Sequence, residues 1–548
     1  MAHALAGKPV QEQDIIDVQT IVDAYFDNVP DMTNPTQLVS FGTSGHRGTS
    51  VDGTFTDLHV AAITQAICDG RKQFGATGPI FVGQDTHALS QPALVTVLEV
   101  LAGNGVTAMV DCDMAFVPTP SVSRAIIRYN EEHDDKADGI IITPSHNPPD
   151  NGGIKYNTII GGPADTVVTK WIEMRANEYL TAYCESEDFK RISIDNIEPT
   201  AQVPYDYKGL YVEELGDVIN MEAIKAAGPK VLVDTLGGSG ASYWNAIKER
   251  YGFDLTIIHD DYDPTFSFMT YDHDGKVRMD CSSTYVMASV INRIGDFDLA
   301  VGNDPDYDRY GIVVSSGLIS ANTFLTLAAR YLFTTRGWKN KGVGKTVVCT
   351  TMIDKWAADA ETPVFEVPVG FKYFSQLLFD GAIGIGGEES AGASFLKKDG
   401  TVWTTDKDGM IMALLSMEIM AVMGKSALKM ADESLEEFGN PSFGRIDAPC
   451  KKEQKQILKQ MSAELITATT VDGDPITNIR TTSLYNDMPI DGVRVETDKG
   501  WFVARPSGTE DLYKIYGESY KGDLGLVALL TAGEEIVNAA LNGTIETE

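Results

Sequence analysis

Cysteine is scarce in this chain. There are six in 548 residues (Cys68, Cys112, Cys184, Cys281, Cys349 and Cys450), scattered, with no C-x-x-C pair and no short disulfide spacing. A disulfide framework is excluded, and buried thiols in a reduced compartment are expected. Cations are also in deficit: 44 Lys and Arg stand against 78 Asp and Glu, a net charge of −34. A polyanionic partner needs a cationic footprint, so nucleic acid and anionic membrane are excluded as partners. Long apolar runs are missing as well. The most apolar stretch, Met410 to Met423, is short and contains Glu418, so it reads as a core helix and not a membrane span. The first twenty residues carry Gln, Glu and Asp and no apolar core, so no signal peptide is read and the expected location is cytoplasmic. What is present is ordinary for a soluble globular protein, with 43% hydrophobic and 22% charged residues. A chain of 548 residues exceeds a single core and predicts about three to five domains. If the substrate of so acidic a chain is itself anionic, the active site must be a local island of positive charge.

Residues 1–40 are polar with helical spacing, and Phe41-Gly-Thr-Ser-Gly-His-Arg-Gly48 comes next as a small-residue loop carrying one cation, Arg47. Such a loop suits close approach to a phosphate, and equally a turn that merely uses glycine. Strand signals come at Pro79–Gly83, Thr107–Val110 and Ile140–Ile142, with a helical stretch at Gln91–Leu101. This alternation predicts βαβ units and a mainly parallel sheet. The order recurs at Lys230–Asp234, Leu255–Ile258 and Phe297–Val301, and again at Lys345–Cys349, Val364–Val367 and Ala382–Ile385. In each block the last strand runs into a loop dense with reactive groups. The expected fold is therefore three similar α/β domains with mixed or parallel sheets, plus a C-terminal α+β domain, around a shared central cleft. The boundaries are placed at 1–205, 206–322, 323–438 and 439–548.

The first of the three loops, Thr143-Pro-Ser-His-Asn-Pro-Pro149, is framed by prolines that end both helix and sheet ladder, and it presents Ser145, His146 and Asn147. Ser145 is a candidate nucleophile, or a serine that only caps a turn. In the second loop Asp304, Asp306 and Asp308 alternate with Pro305 and Tyr307. Three carboxylates after an apolar strand repel one another unless a cation neutralises them, and carboxylates without His or Cys suit Mg²⁺. The bland counterpart is a solvated acidic turn. The third loop carries Glu388, Glu389 and Ser390, acceptors for sugar hydroxyls or caps for a helix near Ala391. Lys155 and Lys372 each stand just after a turn glycine, in Gly152-Gly-Ile-Lys and Gly370-Phe-Lys. Gly342-Val-Gly-Lys-Thr346 looks like half a phosphate loop, but the motif's first glycine falls on Lys339 and the strand comes after it instead of before, so it is set aside. Near the C-terminus two strands, Gly492–Glu496 and Gly500–Ala504, lead into Arg505-Pro-Ser-Gly-Thr-Glu510. There Arg505, Ser507, Thr509 and the Gly508 backbone make a donor-rich nest for phosphate.

Taken in order, FGTSGHRG (41–48), TPSHNPP (143–149), GGIKYN (152–157), DPDYDR (304–309), VGFKYF (369–374), GGEES (386–390) and RPSGTE (505–510) span nearly the whole chain. The set resembles the α-D-phosphohexomutase superfamily, and within it the bacterial phosphoglucomutases most closely. Many members carry glycines where this chain has Pro305 and Tyr307. The resemblance implies that Ser145 is a phosphoserine, and that Asp304, Asp306 and Asp308, with the phosphorylated serine, hold Mg²⁺. It further implies that sugar phosphates are the partners, interconverted through glucose 1,6-bisphosphate. By the same resemblance Lys155 handles the proton, Arg47 polarises the acceptor oxygen, and His146 either assists or is structural. Arg309 contacts the transferring phosphate and Lys372 places the sugar. Glu388 and Ser390 grip hydroxyls, and Arg505, Ser507, Gly508 and Thr509 hold the idle phosphate. A phosphomannomutase, a sugar phosphatase and a non-catalytic relative are the alternatives.

Overall fold

Ile140, Ile141 and Ile142 alternate between two layers, and that alternation organises the first part of the fold. In the computed structural model, which describes residues 2–42, 44–184, 189–506 and 512–545, Ile140 and Ile142 pack with the helices Asp57–Gly70, Ser90–Gly103 and Thr166–Cys184. Ile141 instead meets Val122, Ala125 and Ile126 of the helix Thr119–Glu132. A strand apolar on both faces belongs inside a sheet covered on both sides. The sheet runs His46–Thr49, Asn151–Asn157, Asp138–Ile142, Ile80–Gln84, Ala108–Asp111, Gln202–Tyr205. Its last four strands are parallel and the first two pairings antiparallel. Two expectations change here. Arg47 lies in an edge strand and not in a loop, and Lys155 sits mid-strand, paired opposite Ile141, and not beside a turn.

The second sheet is ordered Gly317–Leu318, Gly311–Val314, Leu299–Gly302, Val231–Asp234, Leu255–Ile258. Leu299–Gly302 pairs antiparallel with Gly311–Val314, so residues 303–310 form the connection of a hairpin. This sheet and the first belong to one unit, Met1–Ser320 with Phe374–Gly381 and Ser390–Leu428. Within it the N-terminal arm runs beside residues 269–273. His3 and Gly7 donate from their backbones to His273 and Tyr271 at 2.8 Å each, and Tyr271 returns a bond to Lys8 at 3.0 Å.

The other unit comprises Ala321–Tyr373, Ala382–Glu389 and Lys429–Glu548. Here Val364–Val367, Gly342–Thr346 and Ile383–Gly387 form parallel pairs. The strand expected at Lys345–Cys349 is displaced towards the N-terminus, so the half phosphate loop is itself the strand; Lys345 is buried and pairs with Asp354. Next comes an antiparallel sheet of Ser442–Pro449, Leu512–Ser519, Gly500–Pro506, Pro489–Thr497, Asp474–Thr482 and Thr470–Val471, giving the expected C-terminal α+β domain. The helix Gly522–Ile545 closes it. By length and composition a stretch of that helix, Gly522–Asn542, could cross a membrane, but Leu526, Leu529, Leu530, Val537 and Leu541 belong to the core with Phe502 and Ile515.

Candidate active site

Ser145 lies just past the strand Asp138–Ile142 and is buried, with a left-handed backbone (φ 61°). A non-glycine residue holds that conformation only where its surroundings over-determine it. Its amide donates to Thr143 Oγ1 at 2.7 Å, and its Oγ donates to Asp304 Oδ2 at 2.7 Å. His146 Nδ1 lies 3.2 Å from the same Oγ. Burial, and then the Arg309 guanidinium, push the His146 pKa well below the ordinary imidazole value, so the ring is neutral.

Asp304, Asp306 and Asp308 are all fully buried, and one oxygen from each lies within 4.8 Å of the others. They converge because the hairpin connection is tightly tied. Tyr307 is left-handed (φ 62°) and donates to the Asp304 carbonyl at 2.9 Å. Ser239 donates to the Pro305 carbonyl through both amide and hydroxyl at 2.8 Å, and Gly409 to the Tyr307 carbonyl at 2.9 Å. Thr119, at the start of its helix, bonds both the backbone carbonyl (2.9 Å) and Oδ2 (2.8 Å) of Asp306. Asp306 Oδ1 and Asp308 Oδ1 remain buried with no hydrogen-bond partner. Unsatisfied buried carboxylate oxygens are costly, and a hard divalent cation is the species that would satisfy them, so the trio fits a metal.

Four cations surround the trio. Lys155 Nζ lies 2.6 Å from Asp306 Oδ2 and 3.1 Å from Asp308 Oδ2, and Lys407 Nζ lies 2.9 Å from Asp308 Oδ2. Arg309 Nη1 is 3.4 Å from Asp280 Oδ2, and Arg47 Nη1 is 3.5 Å from Asn147 Oδ1. Burial raises the Asp304 pKa above the usual carboxylate range, and the neighbouring Asp306 and Asp308 raise it further. Burial also disfavours charge on Asp308, but Lys155 and Lys407 overcome it and hold that carboxyl well below the usual range. Lys155 likewise keeps its charge against burial because Asp306 and Asp308 face it. Arg47, Lys155, Arg309 and Lys407 offset the carboxylates of Asp280, Asp304, Asp306 and Asp308, so these groups alone do not make the net positive island that the composition demanded.

Ser145, His146, Lys155, Arg47, Asp304, Asp306, Asp308 and Arg309 are thus brought together. Lys372 opens the helix Lys372–Phe379, with Nζ 5.5 Å from the Tyr373 ring centroid. Glu388 is buried just past the strand Ile383–Gly387, and Ser390 is half-buried two residues on. Arg505 is the last residue but one of the strand Gly500–Pro506 and donates through Nε to the Ile490 carbonyl at 2.9 Å. Ser507, Gly508 and Thr509 lie outside the described residues.

Sequence reading missed Thr119, Asp280 and, above all, Lys407. The Lys407 segment is fixed by its neighbours: Thr405 and Asp406 donate from their backbones to Ser123 Oγ at 3.2 and 3.3 Å, and Asn157 Nδ2 donates to Asp406 Oδ2 at 2.9 Å. Asp408 caps the next helix while accepting from Tyr211 and Trp403. The signal available was Thr404-Thr-Asp-Lys-Asp408, alternating charges directly before an apolar helix.

The comparisons with known proteins place the chain in a family. Four models described as phosphoglucomutase/phosphomannomutase match: α/β/α domain I over residues 38–182, domain II over 210–317, domain III over 320–438 and the C-terminal domain over 447–524. A phosphoglucomutase of Komagataeibacter xylinus is 46% identical over 97% of this chain and 97% of that one. Among solved structures, a phosphomannomutase of Thermus thermophilus described as putative shares the fold with a TM-score of 0.72 at 23% identity, covering 91% of this chain and 99% of the other. Paramecium parafusin, a phosphoglucomutase in an open form, does so with a TM-score of 0.71 at 20% identity, over 94% and 96%. Four domain models in order along the chain and a relative 46% identical over 97% of it show that this chain is a member of the phosphoglucomutase/phosphomannomutase family.

Proposed function

We propose that the chain interconverts glucose 1-phosphate and glucose 6-phosphate, as a phosphoglucomutase, through phosphorylated Ser145 and a glucose 1,6-bisphosphate intermediate. The observation that carries this reading is the 2.7 Å bond from Ser145 Oγ to Asp304, inside a buried carboxylate trio faced by lysines and arginines. Asp304, Asp306 and Asp308, with an oxygen of the phosphorylated serine, would hold Mg²⁺, which when bound neutralises phosphoryl charge and polarises the group for transfer. The protein's own groups do the rest. A sugar hydroxyl oxygen bonds phosphorus as the Oγ–P bond breaks, the hydroxyl loses its proton, and Ser145 Oγ gains one. The sequence reading gave the proton to Lys155; the two carboxylates against its ammonium favour a charge-steadying role instead. His146, neutral and 3.2 Å from Oγ, is the better proton carrier. Arg47 and Arg309 neutralise the acceptor side and the transferring group. The bisphosphate then turns over and its second phosphate returns to Ser145. Lys372, Glu388 and Ser390 hold the sugar, and Arg505, Ser507, Gly508 and Thr509 hold the idle phosphate.

Glucose 1-phosphate with Mg²⁺ and a trace of glucose 1,6-bisphosphate should yield glucose 6-phosphate in a coupled dehydrogenase assay. EDTA should abolish the rate and added Mg²⁺ restore it, and Ser145→Ala should remove one phosphoryl group from the intact mass. Free phosphate accumulating in place of glucose 6-phosphate would overturn the reading.

A further inference from the structure

A second buried polar network reaches Ser145 through its backbone, apart from the carboxylate trio. It starts at Asp85, fully buried just beyond the strand Ile80–Gln84. Asp85 Oδ1 accepts from the His87 amide at 3.0 Å and Ser90 Oγ at 2.5 Å; Oδ2 accepts from His87 Nδ1 at 2.8 Å and Thr143 Oγ1 at 2.6 Å. Thr143 has one hydroxyl proton and gives it to Asp85. Its oxygen is then oriented to accept, and it does so from the Ser145 amide at 2.7 Å. On the other side of Ser145, the carbonyl of Asn147 lies 3.0 Å from His87 Nε2. Asp85 as a carboxylate and the Asn147 carbonyl can only accept, so both ring nitrogens of His87 donate and the ring is an imidazolium. The loop is pinned at residue 143 and residue 147, and the residue between these pins is the left-handed one (φ 61°).

We propose that Asp85, His87 and Thr143 are positioning residues: they hold the backbone of Ser145 left-handed, so that its Oγ faces Asp304. Burial alone would raise Asp85 and lower His87, but the two facing each other reverse both directions, and Asp85 ends below the usual carboxylate range and His87 above the usual imidazole value. The charge pair is therefore kept in the folded protein, and Thr143 always meets an acceptor. Thr143 is also tied to the neighbouring strand, its amide donating to the Gly153 carbonyl at 2.9 Å. A Cβ on Gly153, across the strand pair, would lie 2.2 Å from the Thr143 carbonyl oxygen.

The test is Thr143→Val, which removes the hydroxyl at nearly constant shape, read against Thr143→Ser, which keeps it. Thr143→Val should lower kcat from glucose 1-phosphate roughly tenfold or more with KM within about twofold, and Thr143→Ser should recover to within about threefold. A Thr143→Val enzyme with kcat within about twofold of the parent overturns the inference. So does a Thr143→Ser enzyme as slow as Thr143→Val, since the methyl and not the hydroxyl would then matter. Should Thr143→Val not fold, Thr143→Ala against Thr143→Ser makes the same comparison. The kinetic arm rests on the mutase reading, so crystal structures of parent and Thr143→Val form a second arm that does not. Ser145 should leave the left-handed region or move Oγ away from Asp304 in the variant. Retention of both overturns the inference whatever the enzyme turns over, whereas a parent protein inactive on glucose 1-phosphate overturns only the mutase reading.

Discussion

At residue 307 the chain carries tyrosine on a left-handed backbone (φ 62°), a conformation glycine adopts freely and a bulky residue does not. The ring is accommodated because the neighbouring segment has no side chains there. A Cβ on Gly240 would lie 2.4 Å from the Tyr307 ring, and one on Gly238 would lie 2.9 Å from it. The glycine content is thus moved from the carboxylate hairpin to the loop beneath it. Gly240→Ala should displace the ring and with it Asp306 and Asp308, costing about 1–3 kcal/mol of stability in urea denaturation and roughly tenfold or more in kcat. A second expectation at this scale concerns His146. A base must be unprotonated, and its pKa lies well below the ordinary value, so activity should be lost only as pH falls far below the usual imidazole range. A plot of log kcat against pH should be flat between about pH 6 and pH 8, and a limb near pH 6.5 that vanishes in His146→Gln would contradict this. The three aspartates and the serine were legible in the sequence because each stands in a dense local motif. The reason Tyr307 is tolerated was not, because it depends on glycines some seventy positions earlier in the chain, a distance no local pattern spans.

Among the elements, strands rich in apolar and β-branched residues were read to the residue, as with Leu255–Ile258 and Val364–Val367. Polar strands were not. His46–Thr49 and Asn151–Asn157 are rich in Gly, Asn, Arg and Lys, and local composition speaks for loops; they are strands because Lys155 and Arg47 are drawn inward by the buried carboxylates they face. The same holds for the segment 404–408. Its charges look solvated in sequence, yet Asp406 and Asp408 are buried and Lys407 largely so. Burial forces such groups to pair, and pairing places Lys407 on Asp308. Lys407→Met should therefore act in two directions at once. Removing a cation that competes at Asp308 should tighten Mg²⁺, seen as a lower half-saturating concentration. Losing positive charge beside the transferring phosphoryl should lower kcat by about ten- to a hundredfold. A variant that weakens Mg²⁺ and leaves kcat unchanged would place Lys407 outside the chemistry.

Across the molecule, charge is distributed by need. Among the described residues the buried carboxylates outnumber the buried lysines and arginines, so the few basic groups placed inside each meet an acidic or carbonyl partner. In the second unit Arg480 bonds Glu366 through two nitrogens at 2.5 and 2.9 Å, tying the C-terminal sheet to the strand Val364–Val367. Arg494 bonds the Val347 carbonyl and stacks 4.1 Å from the Trp501 ring centroid. Val347 and Val348 share a core with Ile490, Trp501 and Val503. The two parts of that unit are therefore joined by both apolar and charged contacts. Arg480→Met leaves Glu366 buried without its strongest partner, so about 3–5 kcal/mol should be lost from the transition of this unit, read by urea denaturation. A loss under about 1 kcal/mol would mean that the apolar core alone holds the junction.

The N-terminal arm has a consequence for how the chain is made. Gln11 bonds the Tyr271 hydroxyl across 260 positions of sequence, so its partner leaves the ribosome, by ordinary rates of synthesis, on the order of tens of seconds later. During that interval residues 3–11 lack these partners, while the sheet of residues 46–205 can already assemble behind them. Closure of the arm over residues 269–273 is a late event by necessity. Leu5 and Val10 of the arm pack against the core that contains Met279, whose amide donates to the His146 carbonyl at 3.2 Å. Residues 3–11 thus dock only after residues 269–273 have been made, although the sheet of residues 46–205 lies between them in the chain.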